Sequence, residues 1–381
     1  MKSPLALPVI TKSIHGFIHS MFWVFVPVFL VQQGFSGFEI GTFIGLANLM
    51  AIVTTLPAGV ANDRIHSKRM ILYALIISMF YYLGLLTVTN SILLAGAFVC
   101  GGLGKNLFNV SIDSMTFKVI DRKRSPIQLG KYLGYVTLIE ALGFIAGGYM
   151  INKLGFESTI SLIIILLFIA IFISMFLPKT YTFSFKLLEY KKDILQKGVL
   201  LFILVVFLFT FHYGAESTSY SLFLKDQFGL NSGQIGLFVG GSVFFVGLSS
   251  LFFSKKIGKG FNPRYVFYIG LFISGIGHVL LSLQTNVWLA FAVRCFHEFG
   301  DGAMIFSIYY GIVSIFNVER IGGNASIVTF AQIMGTSLSA FLFGPLGEHY
   351  GYYLPLFISG ITTILAGFIL YIFDLKTKRS S

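Results

Sequence analysis

Long apolar runs recur along the whole chain, and each is interrupted by a short polar or charged segment. A membrane-spanning helix needs roughly 20 consecutive apolar residues. Twelve such runs are present, centred near residues 21, 50, 79, 105, 140, 167, 212, 244, 274, 301, 335 and 363. The pattern predicts an all-α integral membrane protein with 12 transmembrane helices. The first run is long and has no small-residue cleavage site, so we expect no cleavable signal peptide.

The composition agrees with a membrane protein. Of the 381 residues, 56% are hydrophobic and 11% are charged, whereas a soluble domain carries about 25% charged residues. The two cysteines, Cys100 and Cys295, fall inside predicted helices. We expect both to be small core residues without a disulfide or metal role.

The basic residues are distributed unevenly between the loops. When successive loops are assigned alternately to two sides, all but four of the 27 lysines and arginines fall on one side. Lys153 and Lys225 fall on the other side, and Lys105 and Arg294 lie within the membrane. Cytoplasmic loops carry such an excess of positive charge. The net charge of +12 therefore indicates topology rather than a nucleic-acid partner, and we expect both termini of this cell (inner) membrane protein to be cytoplasmic.

The chain contains two copies of one pattern. The stretch GFEIGTFIG at 37–45 matches GQIGLFVG at 233–240 with an offset of 195 residues. The pair Gly104–Lys105 matches Gly300–Asp301 at an offset of 196 residues. A third match, at an offset of 192, joins YVTLIEALG (135–143) to IVTFAQIMG (327–335). Apolar composition alone does not produce three matches at nearly the same offset.

The repeat divides the chain into two halves. We predict two pseudo-symmetric six-helix bundles, residues 1–178 and 199–381, the second ending in a short basic tail. The basic segment 179–198 joins them as a cytoplasmic linker. An even number of helices in each half makes the repeats parallel, so they are related by an axis along the membrane normal.

The segment between the second and third predicted helices reads GVANDRIHSKR (59–69). It resembles the G-x-x-x-D-R-x-G-R-K loop of the major facilitator superfamily, although two residues, His66 and Ser67, replace one glycine of that pattern. The resemblance covers essentially the whole chain and implies the superfamily (MFS) fold. In the family this loop bridges the two halves and steadies the outward-facing state. The residues expected to form this conformational-switch loop are Gly59, Asp63, Arg64, Lys68 and Arg69.

The tenth predicted helix carries an unusual stripe of ionisable residues. Arg294, His297, Glu298 and Asp301 are spaced at i, i+3, i+4 and i+7, which places them on one helical face. Each charge costs roughly 2.5–3.5 kcal/mol at the centre of a membrane helix, so the four must face partners or a cavity. Arg294 and Glu298 are four residues apart, as are His297 and Asp301, so part of the charge pairing can form within the helix itself. The resemblance implies a cavity-lining helix here, so we expect a substrate or proton site; a buried structural ion network is the alternative.

Lys105 is the other cation expected within the membrane. A lysine there needs a counter-charge or an anionic ligand. The repeat makes Lys105 and Asp301 equivalent, which suggests that they face each other across a cavity. Asp113, two turns along the same helix as Lys105, is the competing partner.

Two further carboxyls lie within predicted helices. Glu140 aligns with Gln332 of the second half and is a candidate proton carrier, because an unpaired carboxyl in a low dielectric titrates near neutrality. Glu216 is the other candidate, and His212 and Tyr213 give its helix a polar face that the resemblance implies lines the cavity. A glutamate bonded to a neighbouring helix is the alternative for Glu140.

The histidines do not predict a metal site. His15 and His19 are four residues apart, a spacing that binds zinc on a helix, but no third ligand lies near them in the sequence. We expect His19 to line the pore or to hydrogen-bond the substrate. His278 is a lone histidine on a helix that is peripheral in the family, and we expect it to be structural.

We interpret the chain as a proton-coupled secondary active transporter that moves a small organic solute by alternating access, with efflux by antiport favoured. The chain has no phosphate-binding loop, nucleophile–base spacing or metal cluster, so we expect neither an enzyme nor a cofactor. The expected partners are a small-molecule substrate, protons or sodium, and the lipid bilayer, with the protein as a monomer. Three alternatives remain: symport uptake of an anionic metabolite gripped by Lys105 and Arg294, a lipid flippase, and a non-transporting membrane receptor.

Overall fold

The structure is a computed structural model that describes residues 4–35, 37–88, 90–183 and 188–379. Regular structure in these ranges is entirely helical. The α-helices are α1 (Ala6–Ser20), α2 (Val26–Gln32), α3 (Gly37–Arg64), α4 (Ser67–Thr87), α5 (Ser91–Val119), α6 (Ser125–Ser174), α7 (Leu188–Ile194), α8 (Lys197–Ala215), α9 (Ser221–Phe228), α10 (Ser232–Gly258), α11 (Pro263–Ser282), α12 (Val287–Ile315), α13 (Ile321–Tyr350) and α14 (Tyr353–Arg379). The prediction of an all-α membrane protein is confirmed.

The helix count is compatible with the 12 predicted crossings. Nine described helical segments are long and apolar enough to cross a membrane. The segment containing α6 holds two crossings, because Gly155 has a φ of 81° and breaks the helix there. A first crossing is divided into α1 and α2 by a 3₁₀ turn at Trp23–Phe25. A further crossing is α12, whose charged stripe lowers its hydropathy.

The two halves repeat in their helix positions as well as in sequence. Helices α5 and α12 each have 29 residues and begin 196 positions apart. Each has an asparagine at its N-cap, Asn90 or Asn286, whose side chain accepts hydrogen bonds from the backbone N–H groups of the second and third residues of the helix. Gly104 packs against Ser78, and Gly300 packs against Ser274, again at an offset of 196. The boundaries of the two halves, residues 1–178 and 199–381, stay a prediction.

Two helix pairs bring the halves together, α6 with α10 and α3 with α13. Successive long helices run in opposite directions, so every second turn lies at the same end of the molecule. The turns at 64–67, 119–125 and 258–263 share one end with α7. We call this end the linker face and the opposite end the far face. Residues 184–187 of the predicted linker, including Lys186, lie outside the described residues.

The two pairs differ in how far along their length they touch. Helices α6 and α10 are in close contact from Gly130 beside Ser254, near the linker face, to Gly148 beside Gly236, near the far face. Helices α3 and α13 touch at the linker face, where Gly59 packs against Ser326 and Gly322. Outside α3 itself, no atom of the described residues lies within 4 Å of a Cβ placed at Gly41 or Gly45, toward the far face. The halves are therefore closed together at the linker face and separated between α3 and α13 at the far face.

Candidate functional site

A cavity of about 360 Å³ lies between the two halves. Most of its wall comes from the first half, through α1, α3, α4 and α5, and the second half contributes mainly α8 and α13. The polar and aromatic groups on its wall include His15, His19, Trp23, Asn48, Tyr81, Lys105, Asn106, Asn109, Thr210, Tyr213, Gln332 and Thr336. A pocket of this kind, largely apolar with a few convergent polar groups, suits a small organic molecule.

Lys105 is the cation on the cavity wall. Its ammonium lies 4.3 Å from the centre of the Trp23 ring, and no carboxylate of the described residues lies within the 4 Å of an ion pair. The expectation that Asp113 or Asp301 pairs with Lys105 is wrong, since both have other partners. The acidic group whose charge acts on Lys105 is Glu140. Lys105 thus faces the cavity without a direct counter-ion.

Asp113 forms a seal between the halves, below the cavity on the side of the linker face. Lys12 Nζ and the Tyr132 hydroxyl donate to its Oδ1 at 2.6 and 2.5 Å. The Tyr309 hydroxyl, from the second half, donates to Oδ2 at 2.7 Å. Lys12 was assigned to the basic loops from sequence, and the structure places it instead inside the bundle on α1. We call these four residues the Asp113 seal.

The predicted switch loop forms a second seal, directly at the linker face. The fully buried Asp63 carboxylate accepts hydrogen bonds from the backbone N–H groups of Gly322 and Gly323 at 2.9 and 2.7 Å, so it holds the first turn of α13 in the other half. The Tyr190 hydroxyl donates to the same carboxylate at 2.9 Å, and Lys118 Nζ lies 3.2 Å from it. A carboxylate at a helix N-terminus is stabilised by the free N–H groups there.

The other switch-loop residues have different environments. Gly59 allows the close approach of α13 described above. Lys68 donates to the Met175 carbonyl at 2.5 Å, which ties the loop to the end of α6. Arg64 and Arg69 are exposed at the linker face.

The linker helix α7 is attached to the second half by an ion-pair network. Arg320 donates to Asp193 Oδ2 at 2.8 Å and to Glu189 Oε2 at 2.6 Å, and Asn324 also donates to Asp193 at 2.8 Å. Burial acts to raise the pKa of Asp193, but the hydrogen bonds from Arg320 and Asn324 outweigh it and hold that pKa below its ordinary value. The network positions Tyr190 over Asp63.

The stripe on α12 lies in the interior of the second half and not on the cavity wall. Arg294 donates to Glu298 at 2.9 Å and to Glu216 at 2.5 Å, and its guanidinium lies 4.3 Å from the centre of the Tyr220 ring. The i, i+4 pairing of Arg294 with Glu298 is therefore present, and Glu216 from the π-helical turn after α8 completes it. A π-turn is often found at a functional site.

The histidines of the second half gather around the same carboxylates. His297 Nε2 lies 3.1 Å from Glu216 Oε1 and 3.6 Å from Asp301 Oδ2. His212 Nε2 lies 3.1 Å from Asp301 Oδ2. The ring of His278 stacks on that of His297 at 4.5 Å, so this residue belongs to the cluster and is not isolated. We call the group formed by Arg294, Glu298, Glu216, Asp301 and these three histidines the second-half cluster.

The remaining predicted site residues lie at or near the cavity. Tyr213 and His19 are on its wall. Glu140 packs against α1 at Gly16, where an added Cβ would come within 2.5 Å of its side chain. Among the described residues Glu140 has no ion pair within 4 Å; its charged neighbours at longer range are Lys12 and Lys105.

Sequence reasoning missed several residues of the seals, including Lys12, Lys118, Tyr132, Tyr190, Asp193, Tyr309 and Arg320. The sequence offered one signal for the Lys12–Asp113 pair. Asp113 lies inside a predicted helix and needs a partner, and Lys12 is a lysine inside the first apolar run. The repeated spacings His-x-x-x-Glu at 212–216 and His-x-x-x-Asp at 297–301 gave another, since they place a histidine and a carboxylate on one face of each of two helices.

The sequence profile of the Major Facilitator Superfamily matches residues 9–224 and matches again over residues 201–381. The chain belongs to the Major Facilitator Superfamily. It is therefore a multi-pass membrane protein of a family of secondary transporters, and the resemblance carried by the switch loop is confirmed. A search of curated proteins finds no match.

Solved structures of the superfamily share the fold. The chain is similar to the human organic anion transporter MFSD10 (TETRAN), with a TM-score of 0.81 and 13% identity over 97% of this chain and 99% of that one. It is also similar to a bacterial homologue of the iron transporter ferroportin in an outward-facing state, with a TM-score of 0.77 and 13% identity over the same shares of the two chains. At this identity the likeness concerns the fold alone.

Proposed function

We propose that the chain is a proton-coupled secondary transporter of a small organic anion, which binds at Lys105 and is taken up together with a proton. The observation that carries the proposal is the Lys105 ammonium, which faces the central cavity without a direct counter-ion. An intramembrane lysine without a partner calls for an anionic ligand. The aromatic and apolar wall around it suits the organic part of such a ligand.

Arg294 does not take part in this proposal. It is held by two carboxylates in the second-half cluster, so releasing it for a substrate would leave both acids buried and unpaired. Lys105 therefore acts as the anion-binding group of the cavity, supported by a neutral donor such as Gln332 on the wall that the second half contributes.

Glu140 is the proposed proton carrier. Intramembrane carboxyls that lack a close partner mark proton relays, and the charge of Glu140 acts on Lys105. When Glu140 is ionised it partly cancels the positive potential at Lys105, and when it is protonated the full charge of Lys105 is available to an anion. Proton and anion thus favour each other's binding, which is the thermodynamic basis of symport.

Alternating access follows from the two seals. With the linker face cytoplasmic, as the basic loops favour, the Asp113 seal and the Asp63 contacts close the cytoplasmic side while α3 and α13 separate at the outer side. Transport then requires both seals to open as the halves rock about the cavity. The protein acts in the cell membrane as a monomer under this proposal.

The decisive experiment is anion-dependent proton flux in proteoliposomes that contain a pH-sensitive dye. The panel covers monocarboxylates, dicarboxylates, sulfonates, and neutral and cationic compounds. We expect internal acidification when an anion is added outside. Lys105→Gln removes a charged contact worth about 1.5–3 kcal/mol, so it should weaken the apparent affinity roughly 10- to 100-fold. Lys153→Gln, which changes an exposed lysine near the far face, is the matched control and should transport normally.

Glu140→Gln tests the coupling separately from anion binding. It should still exchange labelled anion across the membrane, but without net proton flux. Glu157→Gln, at an exposed position, should remain coupled. Normal anion-driven proton flux in Lys105→Gln contradicts the assignment of the binding group, and a requirement for sodium in place of a pH gradient contradicts the coupling ion.

Export by proton antiport is the second candidate, because GFIAGG at 143–148 resembles the G-P-x-x-G-G motif of the family's antiporters, with Phe144 in place of the proline. It predicts internal alkalinisation, the opposite dye signal, when the anion is added outside, because each anion that enters is exchanged for a proton that leaves. Movement of a fluorescent lipid, or no movement of any compound, would favour a flippase or a non-transporting receptor instead.

A further inference from the structure

Two helices of the second-half cluster each supply a histidine and a carboxylate four residues apart. These are His212 with Glu216, and His297 with Asp301. Spacing by four residues places both groups of a pair on one helical face. One ligand atom from each of the four residues lies within 4.8 Å of all the others. Three of the separations are 3.1, 3.1 and 3.6 Å.

Hydrogen bonds determine which nitrogen of the His212 and His297 rings carries a hydrogen. His212 Nδ1 lies 2.5 Å from the Phe209 carbonyl, and His297 Nδ1 lies 2.8 Å from the Ser274 carbonyl. A carbonyl oxygen only accepts, so each Nδ1 carries the hydrogen and donates. In a neutral ring, Nε2 is then a lone-pair acceptor, and both Nε2 atoms point at carboxylate oxygens, which are acceptors as well. Two acceptors this close need either a proton or a metal ion between them.

Two further atoms of the cluster lack partners. His278 Nδ1 lies 2.9 Å from Ser359 Oγ, whose hydroxyl donates to the Leu356 carbonyl, so this ring also presents a bare Nε2. That Nε2 lies 3.3 Å from Glu216 Oε1 without a hydrogen bond. Asp301 Oδ1 is likewise buried without a hydrogen-bond partner among the described residues. Buried polar atoms without partners are uncommon, and each calls for an unseen partner such as an ion.

The charges of the cluster do not balance within the protein. With neutral imidazoles, the carboxylates of Glu216, Glu298 and Asp301 face one guanidinium, that of Arg294, which leaves two negative charges. All these residues except Glu216 are less than 5% exposed, and an unbalanced charge inside a membrane protein is costly. One divalent cation supplies the missing charge and satisfies the Nε2 lone pairs of His212 and His297 at the same time.

We propose that the second-half cluster binds one divalent first-row transition-metal ion, ligated by His212 and His297 through Nε2 and by the carboxylates of Asp301 and Glu216. In a tetrahedral site with bonds of about 2.1 Å the ligand atoms are about 3.4 Å apart, close to the three separations of 3.1, 3.1 and 3.6 Å given above. Ligating histidines usually donate their other N–H to a backbone carbonyl, as both do here. Nitrogen and oxygen ligands of this kind suit Zn²⁺, Co²⁺, Fe²⁺ or Mn²⁺.

The site lies beside the cavity but is separate from it. The Tyr213 ring is 4.1 Å from that of His212 and also lines the cavity, so it separates the two sites. The metal site is independent of the proposed anion transport, because Lys105 and Glu140 take no part in it.

Cobalt is the probe of choice, because Co²⁺ bound by nitrogen and oxygen ligands absorbs visible light in a way that depends on its coordination. Full-length protein in detergent, stripped with EDTA, would be titrated with Co²⁺ and then with Zn²⁺ as a spectroscopically silent competitor. We expect one Co²⁺ per chain, loss of the absorption on addition of Zn²⁺, and a rise in Tm with metal concentration.

Variants assign the site. His212→Asn and Asp301→Asn should each weaken Co²⁺ binding at least about 100-fold, since outer partners of metal ligands already contribute 10- to 100-fold. His349→Asn, at an exposed histidine of α13, should bind as the wild type does. If either ligand variant fails to fold, the wild-type protein still decides: absence of a one-to-one visible Co²⁺ complex overturns the proposal, and the cluster is then balanced by protons on its histidines. Wild-type affinity in His212→Asn, or loss of binding in His349→Asn, overturns it equally.

Discussion

Replacing Asp63 with asparagine tests how the linker face is held closed. The carboxylate holds Gly322 and Gly323 of the opposite half through their backbone N–H groups, and it also pairs with Lys118 of its own half. Asparagine has nearly the same shape but keeps only one acceptor oxygen. Its amide N–H₂ would then point at an N–H or ammonium group, which can only donate.

The two sets of contacts have different consequences. The Lys118 pair lies within the first half and persists when the halves separate, so its loss lowers stability in both states, by about 3–5 kcal/mol for a buried pair. The contacts with Gly322 and Gly323 exist only when the linker face is closed. Exchanging two hydrogen bonds to a charged acceptor, about 1.5–3 kcal/mol each, for one neutral bond of about 1 kcal/mol costs the closed state about 2–5 kcal/mol. The closed-to-open ratio should fall roughly 30- to 5,000-fold.

Distance measurements between paired spin labels report this equilibrium directly. After both native cysteines are replaced, one pair placed at Arg69 and Phe261 spans the linker face, and another at Ile92 and Trp288 spans the far face; all four positions are exposed. In Asp63→Asn, the linker-face distances should lengthen and the far-face distances should shorten.

Two controls separate the seal from general destabilisation. Asp121→Asn changes an exposed aspartate of the same face that only caps its own 3₁₀ turn, and it should leave both distances unchanged. Combining Asp63→Asn with Lys118→Met removes the uncompensated ammonium, so it should restore part of the stability without restoring closure. Unchanged distance distributions in Asp63→Asn would refute the assignment of Asp63 to the seal.

Three further predictions use the same labels or hydrogen exchange. Gly59→Ala, whose new methyl group would collide with α13, should open the linker face, whereas Gly45→Ala, with open space around it, should not. Tyr309→Phe removes one inter-half hydrogen bond to a carboxylate and should shift the same equilibrium by roughly ten- to 100-fold. Arg320 helps to lower the pKa of Asp193, so Asp193 stays ionised, and α7 stays attached, as the pH falls through the ordinary aspartate pKa; α7 should detach only when the pH falls through the lowered pKa of Asp193. Hydrogen exchange of the α7 backbone, measured against pH, checks this. Arg320→Gln should raise the exchange of α7 already at neutral pH.

Much of the fold follows from periodicity and repetition. Apolar runs of about 20 residues predict the helices, and the offset of 195–196 residues predicts that α5 and α12 begin at equivalent positions with equivalent caps. The switch loop is local in sequence, so its family could be recognised. The i, i+4 pairing of Arg294 with Glu298 could also be predicted, because both partners lie on one helix.

The direction in which a helical face points does not follow from the pattern on that helix alone. The stripe on α12 was expected at the cavity, but its partners come from other helices of the second half and draw it into that half. His212 lies on α8, Glu216 on the π-helical turn after α8, and His278 on α11. Asp113 was expected near Lys105, but Lys12 reaches it from α1. In each case a long-range partner decided the matter, and no spacing within one helix predicts which distant helix supplies it.

Glu140 lies among the charged groups of the anion site and of the Asp113 seal, since its charged neighbours are Lys105 on the cavity wall and the Lys12–Asp113 pair. These four groups all belong to the first half, so their mutual interactions persist when the halves separate. The contact of this seal that exists only in the closed state is the hydrogen bond from Tyr309 of the second half to Asp113. Under the proposed function, protonating Glu140 therefore leaves the charge of Lys105 to the anion without acting directly on that contact. Glu140→Gln should uncouple proton flux and leave the linker-face distances as in the wild type, and altered linker-face distances in this variant would mean that the acid also acts on the seal.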